Sequence, residues 1–169
     1  MRNVTVTAWV LRALVVLGPV VALLADVPAG HTPSVAVLVV VAIGGVLFAA
    51  SPDSFVGVVV MGIVLLWWAL SVGEGVPVES LAAAAALLTS HVAATLLGLG
   101  PSRVVLAPSL VTRWAGRGVL VWTVALLVWL VADAFSGRPT PTTFWLAGLA
   151  AALVGAVTVA VVVPGRSDL

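Results

Sequence analysis

The sequence predicts an all-α, polytopic membrane protein, a single bundle of six transmembrane helices. Three observations carry this. Of the 169 residues, 63% are hydrophobic and only 8% charged, where a soluble domain holds roughly 25% charged residues. A soluble fold of this size keeps too much surface in water to hide that much apolar area, and the mean hydropathy is +1.31. Breakers and charges then cut the chain into six apolar stretches near the ~20 residues a lipid-spanning helix needs. Nine of the ten prolines lie outside these stretches, where a missing backbone donor costs little. The apolar runs are too long for membrane strands, and no alternating pattern of about 10 residues appears.

The first span, 7–24, holds the exception among the prolines: Pro19, in "LGPVV", predicts a kink. A competing reading takes "MRNVTVTAWVLR" as the n-region of a signal peptide, "ALVVLGPVVALL" as its h-region and "VPA" before Gly30 as the cleavage site. Cleavage leaves five helices; the arginine pattern described below favours a retained first helix. The second span, 34–50, and the third, 54–71, meet across a short turn at Pro52 and Asp53.

The fourth span, 80–99, follows Glu79, whose carboxylate suits the positive end of a helix dipole. It carries small residues four apart: Ala82, Ala86, Ser90, Ala94 and Gly98. Each step of four advances about 400°, so the seam drifts about 40° per step, which suits a right-handed crossing. Helices in lipid associate at such small residues, so the fourth span is the predicted centre of the bundle. Gly45/Ala49, Gly148/Ala152 and Ala151/Gly155 offer matching small pairs on other spans.

The connection to the fifth span contains "PSLVTRWAGRG". Pro108-Ser109 predicts a helix start with Ser109 as N-cap. Leu110, Val111 and Trp114 form one apolar side, and Arg113 and Arg117, four apart, share another. This is a short interfacial helix or an inner extension of the fifth span, softened by Gly116 and Gly118. An arginine near anionic lipid is worth on the order of 1 kcal/mol. The Arg113–Trp114–Arg117 surface therefore reads as a lipid anchor or a docking site for a cytoplasmic partner. The fifth span, 118–135, aligns Trp122, Leu126, Trp129 and Asp133 as a bulky stripe facing lipid or a neighbouring helix, with Asp133 in reach of Arg138. The sixth span is 144–163.

Arginine placement predicts orientation, since basic residues near span ends stay cytoplasmic. With the N-terminus inside, Arg2, Arg12, Arg103, Arg113, Arg117 and Arg166 are cytoplasmic and only Arg138 is outside. Both termini then face the cytoplasm, and the protein is placed in the plasma (cell inner) membrane.

Composition also excludes functions. Net charge is +1, so no strong field points to nucleic acid. There is no cysteine, which removes disulfides, thiolate metal sites and thiol nucleophiles together. No H-E-x-x-H, glycine-rich phosphate loop or G-x-S-x-G is present, and no nucleophile, base or metal cluster is brought together. No catalytic residue, cofactor or metal site is expected. His91, in "LLTSHVAATL", is the one ionisable residue near a midplane, with Thr95 one turn on. Such residues often mark ion paths, but the carboxylates all lie near span ends. The reading is a buried, neutral, hydrogen-bonded imidazole beside the small-residue seam.

The pairing of "SHVAATL" with "LVTRWAGR" in the next connection resembles small actinobacterial multi-pass membrane proteins associated with MoxR-type AAA ATPase systems, and the Ala, Val, Gly and Arg usage suits a GC-rich bacterial genome. The resemblance implies an accessory membrane component of an ATPase-linked system and carries over no site residue. The expected function is a non-enzymatic accessory or scaffold subunit of a membrane complex, with the bilayer and a membrane or cytoplasmic protein as partners. The alternative is a small proton- or solute-translocating carrier or channel with His91 lining its path.

Overall fold

A computed structural model describes residues 6–71, 77–99 and 108–134. Among the described residues the chain is all helical, without strands. It comprises α1 (Val6–Leu24), a 3-10 turn (Val27–Ala29), α2 (Val35–Ala50), α3 (Val56–Ser71), α4 (Glu79–Gly98) and α5 (Pro108–Ala134). The predicted sixth span, 144–163, and Arg138 lie outside the described residues. Three stretches, Val6–Ala29, Glu79–Gly98 and Ser109–Ala134, are long and apolar enough to cross a membrane. α2 and α3, at 16 residues each, are apolar but shorter.

Local chemistry sets the ends of these helices. Ser34 N-caps α2, its hydroxyl accepting from Val37 N–H at 3.4 Å. Gly30 closes the 3-10 turn at φ 95°, in the left-handed region open to glycine, and its N–H donates to Val27 O. With Ser109 as N-cap the first helical residue would be Leu110; the helix instead begins at Pro108, whose preset φ suits a first helical position. Ser109 is therefore inside the first turn, where its carbonyl accepts from the Thr112 hydroxyl at 3.1 Å. From there α5 continues unbroken through Gly116 and Gly118 for 27 residues, about 40 Å. The arginine-bearing segment is thus an extension of the fifth helix.

Among the described helices, α1 has the most neighbours, and α4, the expected centre of the bundle, packs directly against it. α1 contacts α2, α3 and α4, whereas α4 contacts α1 and α5. α1 is the hub of the described helices because its buried Val15, Gly18, Pro19, Ala22 and Leu23 meet neighbours on several sides. α4, rich in alanine, is thin enough to lie close against it. α5 is peripheral and contributes no fully buried side chain among the described residues.

Two apolar clusters form the core. One, at the α2–α3 turn, gathers Leu11, Val15, Phe48, Ala94 and Leu96. The other, towards the 3-10 turn, gathers Ala22, Leu23, Val41, Val60 and Val64, flanked by Trp67 and Trp68. Lipid tails are as apolar as leucine, so in a bilayer such burial carries no hydrophobic gain, and close packing and interhelical hydrogen bonds hold the helices together.

Candidate functional site

Proline has no N–H, so Pro19 cannot donate to the carbonyl four residues earlier, at Val15. That carbonyl is buried in the bundle. Ser90 of α4 occupies the vacant position: its hydroxyl donates to Val15 O at 3.0 Å, and the serine itself is fully buried. A hydroxyl from a neighbouring helix is one of the few partners that can satisfy a freed carbonyl in an apolar interior. The approach needs Gly18. A Cβ at that position would stand 2.5 Å from Ser90 Cβ and 2.7 Å from Ala86 O. Gly18 and Pro19 on one helix and Ala86 and Ser90 on the other therefore form a single interlocked contact.

Around this point the small-residue positions diverge. Ala86 is half-buried, Ser90 and Ala94 are buried, and Ala82 and Gly98 are exposed. Two steps of about 40° carry each end position about 80° away from Ser90, out of the contact with α1. Gly98 instead lies under Asp53, whose Oδ1 is 2.6 Å from where a Cβ would stand. The residues facing α1 were only partly legible as a four-residue repeat, because Ala83 and Ala93 are also buried.

His91 departs from its expected environment. It is exposed on the outer surface of the described bundle, about 100° around α4 from Ser90. No side chain among the described residues hydrogen-bonds its imidazole. The Thr95 hydroxyl bonds the main-chain carbonyl of His91 at 2.9 Å, one turn back along the same helix. A groove of about 400 Å³ does run between α1, α4 and α5, past Leu14, Leu88, Thr89, Val92, Val119 and Trp122. No ionisable side chain lines it, and His91 lies outside it. Trp122, from the predicted stripe, is half-buried and donates its indole N–H to Leu81 O at 3.3 Å, which ties α5 to α4.

The second histidine has the carboxylate partner that His91 lacks. His31 Nδ1 lies 3.3 Å from Asp26 Oδ1. Asp26 is completely buried, and His31 is 39% exposed. The Asp26 carbonyl also accepts from the N–H groups of Ala29 and His31. Asp26 therefore holds the turn between α1 and α2 by both its side chain and its backbone. Its Oδ2, like the nearby cluster's Trp67 Nε1, is buried with no hydrogen-bond partner among the described residues. The spacing of five between Asp26 and His31 was the available signal, and only the 3-10 turn brings the two side chains together. Among the described residues no three histidine, aspartate or glutamate side chains gather as metal ligands.

On α5, the predicted Arg113–Trp114–Arg117 surface splits. Trp114 is half-buried and packs against the cluster containing Leu11 and Leu96. Arg113 is exposed, and the Arg117 guanidinium stands 5.3 Å from the Trp114 ring centroid, within the range of a cation–π contact. Compared with protein-family models, curated proteins and solved structures, the chain matches none.

Proposed function

We propose that this protein is a non-catalytic accessory or scaffold subunit of a membrane complex, a plasma-membrane protein of six helices with both termini cytoplasmic. The observation that supports this reading most directly is His91. An imidazole halfway along an apolar helix, exposed among the described residues, is costly to leave against hydrocarbon. A neighbouring protein surface that supplies a hydrogen bond removes that cost. Arg113 and Arg117, on the extension of α5, supply the cytoplasmic side of the contact. The resemblance carried by "SHVAATL" and "LVTRWAGR" points to an ATPase-linked system as its setting.

Purification from the native membrane tests this. The wild-type chain is expected to carry a stoichiometric partner that Arg113→Ala/Arg117→Ala and His91→Leu each weaken, and to support no proton or solute flux in reconstituted vesicles. A chain that purifies alone, with a flux abolished by His91→Leu, overturns the scaffold reading in favour of the carrier.

A further inference from the structure

α1 and α2 are held close where Gly45 meets Val16, with 3.3 Å from the Gly45 Cβ position to Val16 Cα. From that contact towards the start of α1 runs a groove of about 720 Å³ lined by Trp9, Arg12, Val16, Leu17, Val46 and Ala50, among others. Its walls are otherwise aliphatic, and Trp9, Leu17 and Val46 are each more than half exposed. The one charged group on the lining is Arg12. Its guanidinium stands 6.0 Å from the Trp9 ring centroid. It forms no ion pair among the described residues.

Neither source of negative charge near this end of the described bundle pairs with Arg12. Asp53, the described acid at this end of the bundle, sets its carboxylate against Gly98 of α4. The last turn of α2 carries partial negative charge, but two of its carbonyls, Leu47 O and Phe48 O, already accept from Ser51 N–H. Arg12 lies six residues into α1, about 9 Å along its axis. At that depth in a bilayer its side chain reaches back along the groove towards the headgroup layer. A guanidinium with five donors and no acid partner among the described residues matches a phosphate. The groove beneath it is apolar and open to the side, as an acyl chain requires.

We propose that the groove between α1 and α2 is a binding site for an anionic phospholipid. Arg12 holds the phosphate, Trp9 flanks it at the interface, and Val16, Leu17 and Val46 receive an acyl chain. The site rests on the bilayer placement of α1 and α2, and is independent of the scaffold role.

The test uses the full chain in nanodiscs of phosphatidylcholine and phosphatidylglycerol in equal amounts, followed by native mass spectrometry of the released protein. The wild type is expected to retain phosphatidylglycerol over phosphatidylcholine. Arg12→Gln is expected to lower that preference about fivefold, the factor corresponding to about 1 kcal/mol per arginine at the surface. Arg12→Lys is expected to retain part of it, and Arg138→Gln, which removes the same charge from the segment the sequence places on the outer side, to leave it unchanged. Circular dichroism confirms that each variant is folded. An equal effect of Arg12→Gln and Arg138→Gln, or none from Arg12→Gln, overturns the site. So does a groove filled by a second copy, seen as a dimer that Arg12→Gln dissociates with lipid preference unchanged. Failure of the chain to enter nanodiscs at all refutes the bilayer placement instead.

Discussion

The Ser90 hydroxyl of α4 donates to the Val15 carbonyl of α1 at 3.0 Å, filling the hydrogen bond that Pro19 cannot make. This relationship turns a helix defect into a specific helix–helix contact. Pro19 removes a donor, Gly18 removes a side chain, and Ser90 enters the space with a donor of its own. Each of the three substitutions is unfavourable in an isolated helix, and together they define where α1 and α4 meet.

The dependence of Ser90 on Pro19 has a measurable signature. Ser90→Ala is expected to cost about 0.6–1.7 kcal/mol, the range of interhelical hydrogen bonds in membrane proteins. In a Pro19→Ala background, the alanine N–H restores the helical bond to Val15 O, and the same change is expected to cost close to nothing. Thermal unfolding in detergent of the four chains completes the cycle. Additive costs would show that the hydroxyl and the proline are uncoupled. Gly18→Ala is expected to cost about 1–3 kcal/mol by overpacking against Ser90 Cβ and Ala86 O, read in the same unfolding experiment.

The Asp26–His31 contact predicts an unusual order of stabilities. His31→Ala removes the one side-chain partner found among the described residues for a carboxyl that is 0% exposed, and is expected to cost about 1–3 kcal/mol. Asp26→Ala/His31→Ala removes the stranded carboxyl as well, and is expected to be more stable than His31→Ala alone. Hydrogen exchange at the N–H groups of Ala29 and Gly30, together with the unfolding midpoint, reads the effect. A double variant less stable than His31→Ala would show that Asp26 acts mainly through contacts other than the histidine.

Orientation can be read directly, since the chain has no cysteine. Thr32→Cys, in the connection between α1 and α2, is expected to react with a membrane-impermeant maleimide in intact cells. Ser51→Cys, in the connection between α2 and α3, is expected to react only after the membrane is opened. The reverse pattern would invert the arginine-based topology, and labelling of both in intact cells would exclude a spanning α2.

Composition and the placement of breakers were enough to specify an all-helical chain with several apolar helices. Charges and prolines are costly within such helices whatever surrounds them, and α1 to α4 begin and end within two residues of the stretches so defined. Pro19, Glu79 and Pro108 were legible for the same reason, since their effects on a helix are local. What the sequence left open was which faces meet. A four-residue repeat named Ala82 and Gly98 alongside Ser90, but contact is confined to the few turns where two helices cross. His91 sits next to Ser90 in sequence, yet about 100° of helical rotation places it on the opposite side of the contact boundary. The pairing of Asp26 with His31, the place of α1 among the described helices and the position of Arg12 over its groove each depend on groups from separate segments. Those were decided only by the tertiary structure, because closeness between segments depends on how the whole bundle packs and not on any local propensity.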